Sequence, residues 1–91
     1  MKYLLLVLSI ILFGCTNLPP SDLNGKGKFT YDNGYTYVGN FKNGLPHGIG
    51  IRIERNGEKY DGEWKKGVFW EGTAFDSSDN ILGKKVNGNW E

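Results

Sequence analysis

Tyr37 to Gly44 reads YVGNFKNG, and Tyr60 to Gly67 reads YDGEWKKG. Both stretches run aromatic, Gly, aromatic, Gly at the same spacing, and the likeness extends beyond them. Superposed on itself at a shift of 23, the chain sets Tyr37 on Tyr60, Gly39 on Gly62, Phe41 on Trp64, Gly44 on Gly67, Gly34 on Gly57, Gly25 on Gly48 and Gly27 on Gly50. Composition does not produce that many coincidences in one register. A repeat of this period means stacked supersecondary units.

Each unit reads as a β-hairpin. Tyr31 precedes Asp32-Asn33-Gly34, after which Tyr35 and Tyr37 alternate with Thr36 and Val38; the plan recurs around Asn56-Gly57. Asn-Gly between alternating runs is a strong hairpin signal, because both residues accept positive φ. By the two-residue period of a strand, Tyr35, Tyr37, Gly39 and Phe41 share one face, as do Tyr60, Gly62 and Trp64. Glycine between two aromatics leaves room for a neighbouring ring to lie over the backbone. In the second unit Arg52 and Glu54 replace Phe29 and Tyr31, while Ile49, Ile51 and Ile53 line one face. That hairpin is expected to present apolar surface on both sides.

The stretches YVGNFKNGLPHGIG and YDGEWKKG resemble MORN repeats, whose pattern runs Tyr, x, Gly, x, Trp or Phe, x, x, Gly, x, x, x, Gly, x, Gly. The resemblance covers Gly25 to about Phe75. It implies an all-β fold: an elongated single-layer antiparallel sheet of about two and a half MORN-type β-hairpins, after an apolar N-terminal signal segment that is helical where it takes structure. The units expected are 25–47, 48–70 and a degenerate cap over 71–91. In the cap, Phe75 and Asn80 keep the earlier register to the turn. Ile81, Gly83, Lys85 and Gly88 then match Tyr60, Gly62, Trp64 and Gly67 after a loss of two residues, with Lys85 in an aromatic's place. A terminal repeat is expected to be atypical because one side faces solvent.

The first fourteen residues read differently. A charged start at Lys2, an apolar run from Tyr3 to Phe13 and a small Gly14 before Cys15 form a signal segment, 1–14. The apolar run is about half the roughly 20 residues a membrane span needs. Leu12, Phe13, Gly14 and Cys15 resemble the bacterial lipobox, although Phe13 is bulkier than usual there. That resemblance implies cleavage before Cys15 and its acylation with lipid chains such as palmitate. Two or three such chains make membrane attachment effectively permanent. Thr16, where an inner-membrane retention signal has Asp, favours the outer membrane if the cell has one. Residues 15–24 carry two prolines among polar residues and read as a flexible tether; nine of them reach up to about 30 Å.

Charge narrows the partners. The chain has 11 Lys and Arg against 10 Asp and Glu, and loss of Lys2 with the signal brings the two into balance. A nucleic-acid binder carries a basic stripe and a positive excess, so none is expected as a partner. No cofactor, metal or catalytic set is expected either. His47 is the one histidine, placed by the pattern in a turn, LPHG, between hairpins. An acylated Cys15 leaves no thiol for a metal cluster. Asp76 and Asp79 in DSSDN lack the Gly and distal Glu of a calcium loop and suit a turn. GKGKF and GIGIR open no helix, so Gly-x-Gly there cradles no phosphate. Lys65, Lys66, Lys84 and Lys85 read as a solvated edge.

The expectation is therefore a non-enzymatic module. A single-layer sheet is expected to half-bury most of its rings and to gain cover from a second copy, a partner protein or a lipid surface. The candidate interaction face is Phe29, Tyr31, Tyr35, Tyr37, Phe41, Tyr60 and Trp64, and the candidate lipid attachment is Cys15. The functional expectation is a lipid-anchored scaffold of the bacterial cell envelope that contacts a protein or its own copy. The alternative is an envelope binding protein for a small ligand, glycan or peptidoglycan, with Trp64 and the tyrosines as stacking platforms.

Overall fold

Seven strands follow one another in chain order across one antiparallel sheet in this computed structural model, which describes residues 18–91. They are β1 (Gly25–Thr30), β2 (Thr36–Lys42), β3 (Leu45–Ile53), β4 (Lys59–Lys65), β5 (Val68–Phe75), β6 (Ile81–Val86) and β7 (Asn89–Trp90). The described residues contain no helix, and the sheet is open and all-β as the repeat implied. The signal segment 1–14 and the acylation candidate Cys15 lie outside the described residues.

Two kinds of turn alternate along the sheet. At one side the Gly34 N–H donates to the Tyr31 carbonyl at 2.9 Å, Gly57 to Glu54 at 3.0 Å and Asp79 to Asp76 at 3.0 Å. Only the last residue of each takes positive φ: 97° at Gly34, 94° at Gly57 and 66° at Asp79. Such three-residue loops pair a type I turn with one left-handed residue. The expectation that Asn33 and Asn56 also take positive φ is therefore corrected. Their side chains instead accept the backbone N–H two residues on, from Tyr35 at 3.4 Å and from Glu58 at 3.0 Å, which is how Asn stabilises a turn without leaving the right-handed region.

The opposite side carries two-residue turns in which both residues are left-handed. They are Asn43-Gly44 (51° and 78°), Lys66-Gly67 (49° and 84°) and Asn87-Gly88 (50° and 80°), as a type I′ turn requires. Because Asn43-Gly44 reverses the chain, LPHG belongs to β3 and His47 stands in a strand. The turn reading of His47 is thus overturned. Pro46 is tolerated in this internal strand because the register is irregular between Gly39 and Phe41, opposite it.

Glycines Gly27, Gly39, Gly50, Gly62 and Gly72 pair with one another in a single row across β1 to β5. Rings lie down on this row. Phe41 approaches within 3.4 Å of where a Gly27 Cβ would stand, Tyr37 covers Gly50, and the Trp64 Nε1 donates to the Gly50 carbonyl at 3.1 Å. Tyr37 and Phe41 meet edge to face at 5.0 Å between centroids and Tyr37 and Trp64 at 5.4 Å, while Trp64 and Phe69 are tilted at 5.1 Å. Exposure is 0% at Tyr37, 1% at Trp64, 3% at Phe41 and 6% at Phe69. Half-burial was expected of most of the rings, and for these four it does not hold. Absent Cβ atoms let Phe41, Tyr37 and Trp64 sink onto a neighbouring strand, so the chain supplies its own cover. Full burial of such a side chain contributes about 1.5–3 kcal/mol, and each favourable ring pair about 0.5–1.5 kcal/mol more.

The first unit begins before β1. Gly44 N–H donates to the Leu23 carbonyl at 3.0 Å, Gly67 N–H to Pro46 at 2.8 Å and Gly88 N–H to Trp70 at 2.9 Å. Leu23 thereby plays the part of Pro46 one repeat earlier, and its side chain packs on the ring cluster. Of the stretch read as tether, Pro20 to Asn24 is held against the Asn43-Gly44 turn.

The cap departs from the expected register before its turn. Asp79, not Asn80, stands where Gly34 and Gly57 stand. One residue is missing between Gly67 and Gly72, compared with Gly44 to Gly50. In β6 Gly83 pairs with Ala74 and Lys85 with Gly72, so that Gly83 stands where Tyr60 does and Lys85 where Gly62 does, not as the spacing implied. Phe75 opposes Ile81 and Ala74 opposes Gly83, which leaves Leu82 as the extra residue of a bulge in β6. Trp90 then closes the ring face, 3.6 Å from where a Gly83 Cβ would stand.

Candidate functional site

Strand alternation and register divide the side chains between a ring face and a back face. The seven candidate residues all lie on the ring face or its rim, but they do not form one exposed patch. Tyr37, Phe41 and Trp64 are core. Phe29, Tyr31 and Tyr60 are half-buried against them, and Tyr35 stacks on Tyr31 at 4.5 Å between centroids. Phe69, which the pattern did not single out, completes the buried cluster; Trp90 stands beside it at 5.9 Å. The signal for Phe69 was its place 23 residues after Pro46, which hid an aromatic behind a proline.

Burial sets the chemistry of the phenols. Loss of water around Tyr37, with Tyr31 beside it, pushes its pKa up to about 12, and its hydroxyl donates to the Asn40 carbonyl at 2.9 Å. Burial, with Tyr35 beside it, also holds Tyr31 above the ordinary tyrosine value. Neither phenol is placed to act as a base near neutrality.

Arg52 lies among the rings of the second unit. Its guanidinium carbon stands 4.8 Å from the Tyr60 centroid, 5.1 Å from Tyr35 and 5.4 Å from Trp64, while Nε faces Glu54 Oε2 at 3.1 Å. A cation over ring faces is attracted by their quadrupoles. Arg52 thus fills an aromatic's place without breaking the stack, and in the cap Lys85 also lies over rings, 5.4 Å from the Trp90 centroid and 5.9 Å from Phe69. Lys65 lies 4.4 Å over Trp70. Two of the four lysines read as a solvated edge are therefore engaged with rings.

His47 has a structural partner. Its Nδ1 accepts the Lys66 N–H at 3.2 Å; the Asn24 side chain accepts the Asn43 N–H at 3.1 Å, and Glu71 accepts that of Asn87 at 3.3 Å. In each unit the same place holds a side-chain acceptor for the first left-handed residue of the next turn. Among the described residues no group of three His, Cys, Asp or Glu is arranged to hold a metal ion.

On the back face a groove of about 500 Å³ crosses β1 to β4 over the glycine row, flanked by Lys26, Val38, Asn40, Ile49, Ile51 and Asp61. Here the chain leaves apolar surface open: Ile49 is 65% exposed and Val38 38%. The sequence pattern placed apolar surface on both sides of the second hairpin, and Ile49 carries the outer share.

A family model for the MORN repeat matches residues 22–34, 37–59 and 60–70. The chain is also similar to a Plasmodium berghei (strain Anka) protein named "Inactive protein tyrosine kinase pTKL", with 45% identity over 49 residues, which is 54% of this chain and 3% of that protein. The chain thus spans a small fraction of that relative's length.

Proposed function

The chain belongs to the MORN-repeat family, and on that premise we propose that it is a lipid-anchored interaction module of a bacterial cell envelope, working by contact and without catalysis. The single observation that carries the contact reading is the division of its apolar surface. Rings are buried by the chain itself, whereas Val38 and Ile49 stay open on the back of the sheet, and exposed apolar patches mark interaction surfaces. The family fold supports an interaction or scaffold role in general terms. Anchoring at Cys15 is supported by the Leu12-Phe13-Gly14-Cys15 stretch and by the charged, apolar start before it. On the ring face, Tyr31, Tyr35 and Tyr60 with Arg52 form the part open to a partner. A glycan platform built on Trp64 is disfavoured, because that ring is 1% exposed.

Two measurements on the full chain test this. Radiolabelled palmitate fed to expressing bacteria should mark the protein and fail to mark Cys15→Ser. A photoreactive residue at position 49 or 35 should capture a protein in living cells. An unlabelled wild-type chain would remove the anchor, and silence at both positions in cells would remove the contact role.

A further inference from the structure

The register of the back face contains one row whose chemistry is ordered. Lys28 pairs with Val38, Val38 with Ile51 and Ile51 with Asp61, directly opposite in turn across β1, β2, β3 and β4. Directly opposed residues share a face, so the row reads cation, apolar, apolar, anion. Beside it, Lys26 pairs with Asn40 and Ile49 with Glu63, again with the cation on β1 and the anion on β4. Lys26, Lys28, Asp61 and Glu63 are all exposed, and none of the four is held in an ion pair or a side-chain hydrogen bond among the described residues.

Such a row is complementary to itself. We infer that the back face docks onto the back face of a second copy, about a two-fold axis parallel to the strands and midway between β2 and β3, so that Lys28 meets the partner's Asp61 and Val38 meets the partner's Ile51. This rests on the contact reading above and names its partner and surface. The operator sets β1 over the partner's β4 and β2 over the partner's β3. Lys26 then faces the partner's Glu63, and Ile49 enters the groove of the other copy beside the partner's Asn40. Every contact occurs twice, as a two-fold interface demands. Sheets stacked face to face stand about 10 Å apart with strands about 30° off parallel, which suits side chains that interdigitate across an open groove.

The alternative operators are unfavourable. A two-fold axis across the strands would set Lys28 against the partner's Lys28 and Asp61 against the partner's Asp61, and opposed like charges select against a register. An anionic lipid surface would attract the β1 side and repel Asp61 and Glu63 on the β4 side. Only the second copy, turned about the strand direction, satisfies both ends of the row while covering its apolar middle.

The test uses the full chain, purified from membranes in detergent. Preparations grown on ordinary and on heavy nitrogen are mixed, and a carbodiimide joins amines to carboxylates that already touch. Mass spectrometry should find mixed-isotope peptides linking Lys26 or Lys28 to Asp61 or Glu63. By sedimentation, Lys28→Glu and Asp61→Lys should each weaken self-association about tenfold or more, and the two together should restore it, as expected of a close interfacial charge pair. Ile49→Asp should leave monomers. These side chains are exposed, so all the variants should melt where the parent melts; the crosslinks in the parent decide the matter if one does not. Same-isotope links alone, a monomeric parent at about 100 μM, or a dimer indifferent to Lys28→Glu would overturn the arrangement. Loss of palmitate labelling would remove the anchor and leave this interface untouched, whereas a monomeric parent that still captures another protein in cells would remove the interface alone.

Discussion

The Tyr37 hydroxyl occupies the space that a Cβ on Gly50 would need. One strand's largest polar ring and the next strand's missing side chain are thus a single packing unit, and the hydroxyl is then fixed by its bond to the Asn40 carbonyl. Gly50→Ala must displace a ring that is 0% exposed. Overpacking of this kind costs about 2–3 kcal/mol, which in a domain this small lowers Tm by roughly 10–20 °C. Gly25→Ala is the control: nothing lies within 4 Å of its Cβ position, although its φ of 91° remains. It should cost about 1 kcal/mol from backbone strain alone. Equal losses in a thermal melt would sink the ring-over-glycine account.

Trp64 is the second pillar of the core. Trp64→Ala removes the ring and leaves a cavity, at about 3–5 kcal/mol, enough to unfold a marginal small domain. Trp64→Phe keeps most of the apolar contact but abandons the N–H bond to the Gly50 carbonyl. The lost hydrogen bond should cost about 1 kcal/mol, beyond the smaller ring's lost contacts. Circular dichroism of both variants checks this, and a folded Trp64→Ala would show that the cluster is not what holds the sheet.

How far these relationships were legible in the sequence differs by kind. The repeat, the hairpins and the ring face follow from spacing, because a strand has a side-chain period of two and glycine pairs recur at one shift. Burial was not legible: spacing puts Tyr37 and Tyr35 on one face but does not say that a glycine on the next strand will admit one ring whole. Turn type was misassigned because Asn-Gly occurs on both sides of the ribbon. Asn43-Gly44 and Asn33-Gly34 are the same dipeptide, yet a two-residue link makes both residues left-handed at the first, while a three-residue loop frees Asn33 to cap by its side chain. His47 looked like a loop residue for the same reason. Its role emerges only when Asn24 and Glu71 are seen doing the same thing one repeat away.

Alkaline pH should reveal Tyr37. Its folded pKa of about 12 lies above the ordinary value of 10.0 for the free side chain, so the native state keeps a proton that the unfolded chain releases. The stability tied to this difference is fully present below pH 10 and is lost as pH rises towards about 12. One pKa unit corresponds to about 1.4 kcal/mol, so the loss across the window is on the order of 2–3 kcal/mol. Tyr37→Phe gives up the bond to Asn40 at every pH, about 1 kcal/mol. It should also unfold over a flatter alkaline profile. Urea midpoints taken from pH 8 to pH 12 test this: parallel profiles for the two proteins would assign the alkaline loss to other groups.

The second two-residue turn carries a residue that its geometry disfavours. Lys66 stands at a φ of 49°, where Asn43 and Asn87 stand at 51° and 50° in the other turns. Left-handed conformation costs an ordinary residue about 1–2 kcal/mol and costs Asn less. Lys66→Asn should therefore stabilise the protein by about 0.5–1 kcal/mol. The bond from the Lys66 N–H to His47 Nδ1 belongs to the backbone and survives that change. Removing the acceptor acts on the other partner. His47→Ala leaves the N–H to water and should cost about 0.5–1.5 kcal/mol, whereas His47→Asn supplies the acceptor used at Asn24 and should recover most of it. Urea unfolding of the three variants separates the terms. A lower midpoint for Lys66→Asn, or equal losses for His47→Ala and His47→Asn, would mean that the turn is set by something other than its left-handed backbone and its side-chain acceptor.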